Sequence, residues 1–264
     1  MKELKPDVLK SKEAVVAQFG KNASQYVTSA NHAKGADLQD LVQAIQYNEG
    51  MKALDVATGG GHVANALATH VQEVTALDLT PEILQQAEAF IQKNNHQNVT
   101  FVQGDAEQLP FADESFDLVT CRIAAHHFPN VPHFVQEVYR VLKKGGQFAL
   151  IDNISPEDDL LDSFYNIVEK KRDYSHFRAL KKTEWISLVE KSGFYSSFMK
   201  TYEKKFKFKE WTERMQLPLD EKEALNQYML EQSEQTKEYF KLVEEDGSVQ
   251  SFVGSSILLH MYKR

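Results

Sequence analysis

Leu54-Asp55-Val56-Ala57-Thr58-Gly59-Gly60-Gly61 is the stretch on which the fold turns. A short apolar run over residues 52–57 enters three consecutive glycines, after which Val63, Leu67 and Val71 recur at four-residue spacing. That order reads as a buried strand, a tight turn and a helix with one apolar stripe. Glycines in such a turn let backbone come close to a ligand, and the helix start offers free N–H groups to it.

The same alternation continues outward. Residues 73–78 read as a second strand, and Thr80 as the N-cap of a helix with Pro81 at its first position and Ile83, Leu84, Ala87, Phe90 and Ile91 on its buried face. Residues 98–103 and 116–121 supply third and fourth strands, rich in Val, Phe and Thr. A helix carrying Phe134, Val135, Val138, Val141 and Leu142 follows, with Gly145 as its stop, and residues 147–152 form a fifth strand. Strands alternating with crossover helices predict a doubly wound α/β domain, because right-handed crossovers and short loops leave few other topologies.

Outside that core the pattern changes. Leu38, Leu41, Val42 and Ile45 mark an amphipathic helix, and residues 11–19 a shorter one, so residues 1–48 are expected to form a helical cap before a cofactor-binding core at 49–155. Residues 156–264 are expected to complete the sheet. There, Thr183 caps a helix bearing Trp185, Leu188 and Val189 that ends near Gly193, and residues 256–263 read as the last strand. A charged, helix-prone stretch over 209–246, with apolar groups at Leu225, Tyr228, Met229, Tyr239, Phe240 and Val243, reads as an inserted helical lid spanning about 205–250.

With 264 residues the chain can bury a substantial core without staples. Cys121 is its single cysteine, which reads as a small buried hydrophobe in a reducing, cytoplasmic setting. No run is apolar enough for a secretory signal or a membrane span. A formal charge of −8 opposes general binding to nucleic acid or to anionic membrane surfaces and favours a small-molecule substrate. Lysine clusters at Lys143 and Lys144, at 170–172 and at 204–209 have acids close by and read as solvated faces.

Gly59, Gly61 and Ala64 satisfy the spacing of a dinucleotide fingerprint, and Asp78 lies near the place of a ribose-binding acid, so an NAD-dependent oxidoreductase is a real alternative. Asp55 argues against it, since a carboxylate before the turn repels a pyrophosphate and attracts an ammonium or sulfonium. The run resembles the first motif of class I S-adenosylmethionine-dependent methyltransferases, with Ala57 in place of the family's first glycine. Further matches follow in order: Asp78-Leu79 at the end of strand two, Gly104-Asp105-Ala106 continuing to Phe111, Ser115-Phe116-Asp117-Leu118-Val119, and Glu137 through Gly146. The likeness spans residues 53–152 and is nearest to the branch containing quinone-biosynthesis and other small-molecule enzymes.

This resemblance implies a mostly parallel seven-stranded sheet and S-adenosylmethionine as cofactor, used for in-line methyl transfer to a small-molecule acceptor. It implies that Asp55, Ala57, Thr58, Gly59, Gly61 and Leu79 bind the cofactor, that Asp78 binds its ribose, and that Asp105 with the Ala106 backbone binds its adenine. Backbone at Arg122 and Ile123 is expected at the cofactor, as is Tyr26, which closes the segment Phe19-Gly20-Lys21-Asn22-Ala23-Ser24-Gln25-Tyr26. His126 and His127 follow in the loop that faces the substrate in this family, and either offers a neutral imidazole as general base near pH 7. His126, His127 and His133 lack a carboxylate or thiolate at ligand spacing, so no metal site is expected. A protein that binds the cofactor without transferring methyl groups is the non-enzyme alternative.

Overall fold

The structure, a computed structural model, describes residues 35–264 together with Lys12, Glu13 and Val16. Those three residues are helical, and the expected site residue Tyr26 lies outside the described part.

Five parallel strands carry the core: β1 (Lys52–Val56), β2 (Glu73–Asp78), β3 (Val99–Gln103), β4 (Phe116–Arg122) and β5 (Leu142–Ile154). Helices α1 (Ala36–Ala44), α2 (His62–Leu67), α3 (Pro81–Lys93) and α4 (Val131–Val141) flank them. The chain continues through α5 (Asp159–Arg172), α6 (Lys182–Lys191), β6 (Phe194–Lys207), α7 (Phe208–Glu213), α8 (Leu219–Leu230), α9 (Glu234–Tyr239), β7 (Val243–Glu245) and β8 (Ser248–Lys263). Strand order is β3-β2-β1-β4-β5-β8-β6, with β8 antiparallel to both its neighbours and the short β7 pairing β8 from outside that path. The seven strands on the path match the expected sheet, and β7 is an addition to it.

Both faces of the sheet are covered, which is why its central strands read as unbroken apolar runs. On one face Ala53, Val74, Leu118, Ile151 and Leu258 pack under α1 and α2. On the other, Leu54, Val119, Phe148 and Leu259 meet Phe134 and Val138 of α4 and Trp185 of α6. Cys121 is buried in this second layer, as a small hydrophobe. A third cluster gathers Phe164 and Val168 of α5, Trp211 of α7, and Leu225 and Met229 of α8 against Phe252 of β8.

Several local readings are corrected. Helix α4 ends at Val141 and Leu142 already begins β5, so Gly145 lies inside the strand rather than stopping the helix. The N-cap of α6 is Lys181, whose N–H is accepted by Glu184 at 2.8 Å, while Thr183 instead binds Glu157. Tyr239 and Val243 point outward, whereas Leu225, Met229 and Phe240 are buried. The 170–172 cluster is not a solvated face: the Lys170 ammonium donates to the Tyr174 and His176 carbonyls, and Arg172 pairs with buried Glu169 while stacking on Trp211. β8 also begins at Ser248, well before the residue expected, and β6 was not located from the sequence.

The order of the sheet reverses between β1 and β4, where the chain leaves toward β2 on one side and β5 on the other. The loops after these two strands must diverge, and a crevice opens at their carboxyl ends.

Candidate functional site

The turn after β1 is built by left-handed backbone. Ala57 has φ 53° and Gly59 φ 54°, and the turn is pinned by Thr58 N–H to the Leu77 carbonyl at 2.9 Å and Gly61 N–H to the Thr58 carbonyl at 3.0 Å. A side chain at Gly59 would meet no atom nearer than the Ala57 carbonyl at 4.0 Å, so the glycine's face is open to the crevice. Ala57 adopts the conformation that suits glycine, which is the physical content of its departure from the family motif.

Asp55 is 1% exposed, and its two oxygens accept from the hydroxyls of Thr58 at 2.6 Å and Thr120 at 2.8 Å. Burial pushes its pKa up to about 6, against the pull of those bonds, so the group is mainly charged at neutral pH. The expected direct exposure of this carboxylate is therefore softened: it contributes negative potential through Thr58 as much as by contact. Asp78 accepts Gly59 N–H and Thr80 N–H, each at 3.0 Å, one on each oxygen. Burial raises its pKa too. The Thr80 side chain, at the N-cap of α3, makes no capping bond, and Asp78 holds its backbone instead.

Asp105 accepts Glu107 N–H at 2.9 Å on one oxygen and the Lys12 ammonium at 2.5 Å on the other, and Lys12 reaches Glu107 at 2.6 Å. Burial alone would lower the Lys12 pKa, but the two carboxylates override it and hold the ammonium charged. At the end of β4, Arg122 is locked to Asp37 of α1 at 2.8 Å, and Ile123 takes a left-handed φ of 55° with its N–H on the Ile151 carbonyl at 2.7 Å.

These elements enclose one cavity of about 1070 Å³ of non-atom space, part of it open to solvent. Asp55, Ala57, Thr58, Gly59, Asp78, Leu79, Asp105, Ala106, Arg122, Ile123 and His127 all line it. Two expected residues do not. Gly61 packs against Ala87 and Ile91 of α3, and His126 turns behind His127. Lys12 and Glu107 also line the cavity and were missed, because their pairing joins segments 95 residues apart. The only fixed cations on the lining, Lys12 and Arg122, are each already held by carboxylates, so among the described residues no lysine or arginine is left to neutralise a pyrophosphate.

The two histidines differ sharply. His126 Nδ1 lies 2.6 Å from Asp152, and although burial disfavours its charge, this carboxylate raises its pKa. His127 is pushed down to about 4 by burial and by His126, whose ring is 4.2 Å away. Its Nδ1 is 3.1 Å from the Ser175 hydroxyl, which itself donates to Asp173 at 2.5 Å. Since that hydroxyl proton is committed to Asp173, Nδ1 of His127 must be the donor, leaving Nε2 as the acceptor nitrogen. Among the described residues no group of three His, Cys, Asp or Glu is placed to hold a metal.

Comparison with known proteins agrees with this geometry. The family described as a methyltransferase domain matches residues 54–150. The uncharacterized methyltransferase YcgJ of Bacillus subtilis is 35% identical over 247 residues, covering 93% of this chain and 98% of its own, and its solved structure superposes with a TM-score of 0.85. The solved structure of the BH2331 protein of Bacillus halodurans is 52% identical, covers 87% of this chain and 99% of its own, and also gives a TM-score of 0.85. A demethylmenaquinone methyltransferase of Porphyromonas gingivalis is 35% identical over 153 residues, 54% of this chain and 62% of its own.

Proposed function

The chain belongs to the class I S-adenosylmethionine-dependent methyltransferases, and on that premise we propose that it methylates a small-molecule acceptor by in-line transfer, with the cofactor lying across the cavity from the turn after β1 to Asp105. The observation that carries this reading is the electrostatics of the cavity: three aspartates stand at the ends of successive strands, and both cations on the lining are spent on carboxylates. Such a lining suits a cationic, phosphate-free nucleoside.

When bound, S-adenosylmethionine supplies a methyl carbon made electrophilic by its sulfonium. Asp78, with one acceptor position left on each oxygen beyond its backbone bonds, binds the ribose hydroxyls. Asp105 accepts the adenine amino group in exchange for Lys12. The left-handed backbone from Ala57 to Gly59, with Asp55 behind it, sits at the methionine end. His127 lines the same cavity with an acceptor nitrogen, and takes a proton from acceptors that must lose one, while His126 and Asp152 hold its ring from behind. The chain's main contribution is alignment and exclusion of water, with the helices at 208–239 acting as a lid over the acceptor. The one cysteine, Cys121, is buried and free, which supports a reducing, cytoplasmic setting.

The test is twofold. S-adenosylhomocysteine should raise the melting temperature and NAD should not, and methyl-labelled cofactor incubated with a small-molecule extract should yield a labelled product. Binding without any labelled product would reduce the protein to a cofactor-binding module.

A further inference from the structure

Lys204 of β6 stands directly opposite Gly254 of β8 in an antiparallel ladder. Opposed residues project to the same face, so the lysine leaves the sheet on the side where a Cβ at Gly254 would lie 3.4 Å from the Tyr165 hydroxyl and 3.3 Å from its ring. Glycine at this point admits Tyr165 of α5 to the face beside Lys204. Two and four residues back along β6, Tyr202 and Lys200 reach Asp40 of α1, which fixes this as the α1 face of the sheet. The position is just past the end of β5, since Ser255 is the partner of Ile154.

The charges facing Lys204 come from four elements: Asp37 of α1, Arg122 of β4, Asp152 of β5 and Glu169 of α5. Each carboxylate is already engaged by another side chain. Asp37 holds Arg122 at 2.8 Å, Asp152 holds His126 at 2.6 Å, and Glu169 holds Arg172 at 2.9 Å. Among the described residues none lies within ion-pairing distance of the Lys204 ammonium, which stands partly buried without an ion-pair partner of its own. Burial lowers the Lys204 pKa, as it must for an ammonium without a counter-ion. Beside it the Tyr165 hydroxyl, on a side chain 1% exposed, has Glu169 as a neighbour but no partner in good hydrogen-bonding geometry. Burial and nearby Glu169 and Asp152 hold its pKa far up, so it remains a donor. Arg122 both acts on Lys204 and lines the cofactor cavity, so the lysine stands near the edge of that cavity.

We propose that Lys204 and Tyr165 form an anion-holding subsite of the acceptor chamber, and that the methyl acceptor is a small organic anion whose carboxylate, enolate or phenolate oxygen docks between them. An ammonium and a phenol placed together supply two strong donors to one oxygen and replace the missing counter-ion. The inference rests on the methyltransferase reading. In the transfer, an electron pair of the acceptor forms the bond to the methyl carbon, and the carbon–sulfur bond breaks with its pair left on sulfur, giving neutral S-adenosylhomocysteine. Any proton on the nucleophile leaves to His127.

The test uses the full chain and a small-molecule extract of bacterial cells split at pH 7 on a strong anion exchanger, with methyl-labelled cofactor. Label should appear with the retained fraction. Lys204→Met should then raise the KM for that acceptor by about tenfold or more with little change in kcat, Lys204→Arg should restore most of it, and Tyr165→Phe should raise KM by about threefold. S-adenosylhomocysteine affinity serves as a control for folding and should stay near wild type, while the melting temperature should not fall, since Lys204→Met removes an unpaired, partly buried charge. An acceptor found in the unretained fraction, or a KM untouched by Lys204→Met, overturns the subsite while leaving the methyltransferase intact. No label in either fraction removes methyl transfer itself, and the subsite with it.

Discussion

The two ends of the crevice are finished differently. On the cofactor side, around β1, β2 and β3, the acids are held in place by short bonds, some local and some between distant segments: Asp55 by two threonine hydroxyls, Asp78 by two backbone N–H groups, Asp105 by Glu107 N–H and Lys12. On the acceptor side, around β5, β6 and β8, buried polar atoms of Asp152, Tyr165 and His176 have no partner in hydrogen-bonding geometry, whereas on the cofactor side it is a hydroxyl, that of Thr80, and none of the three acids, that lacks one. Buried polar groups left without partners are costly, and they persist where a ligand completes them. One side is thus preorganised for an invariable ligand, whereas the other is specialised for a particular one.

The largest effect that would sharpen this contrast lies at the border between the two sides. His127→Gln should lower kcat by about a hundredfold or more for an acceptor that must lose a proton, while S-adenosylhomocysteine affinity, read by calorimetry, stays within about threefold. The same variant has a pH signature. His127 has a folded pKa of about 4 against 6.5 in the unfolded chain, so its contribution to stability is complete above 6.5 and is lost as pH falls toward 4. His126 runs the other way: held above 6.5 by Asp152, it contributes fully below 6.5 and loses that contribution as pH rises through its folded value. Melting curves of His127→Gln should therefore fall less steeply between pH 6.5 and 4 than those of the parent. An unchanged kcat would place the histidine in packing alone.

Asp78→Ala tests the opposite side. It removes a carboxylate that braces both the glycine turn and the start of α3, and in the proposed reading also binds the ribose. Cofactor affinity should fall about a hundredfold, on the order of 3 kcal/mol, with acceptor preference retained in what activity remains. If binding survives, the cofactor lies elsewhere and the comparison between the two sides fails.

The same division explains what could be read from the sequence. Asp55, Gly59, Asp78 and Asp105 were legible because each sits within a few residues of a strand end, and the chemistry of a strand–turn–helix unit is written locally. Ala57 was legible as a departure, and its φ of 53° shows the conformation that the departure has to tolerate. Lys204 was misread as part of a solvated face, since its lysine-rich edge strand looks polar all round. Only the ladder that sets it against Gly254 shows which way it points. Tyr165 and Ser175 lie in segments without a motif, and only the fold sets them beside Gly254 and His127.

Lys12 offers a smaller and more discriminating test, because it makes the cofactor side less complete than its local bonds suggest. Its ammonium lies on the oxygen of Asp105 that the adenine amino group would use, so binding has to displace it. Lys12→Met should tighten S-adenosylhomocysteine binding by about fivefold, roughly 1 kcal/mol, with less salt dependence than the parent. Weaker binding would mean that the lysine stays and supports the base rather than making way for it.

The smallest expected effect is at Ala57. A left-handed backbone costs a residue with a Cβ about 1–2 kcal/mol, and glycine avoids this at an entropic cost of about 0.4–1 kcal/mol. Ala57→Gly should then stabilise the chain by roughly half a kcal/mol, a rise of about 1–2 °C in melting temperature for a domain of this size. The turn faces the cofactor cavity, so the added freedom acts on binding as well, and affinity for S-adenosylhomocysteine should change by less than about twofold in either direction. A clear loss of affinity would show that the methyl group of Ala57, rather than the backbone conformation it adopts, is what this side of the crevice presents to its ligand.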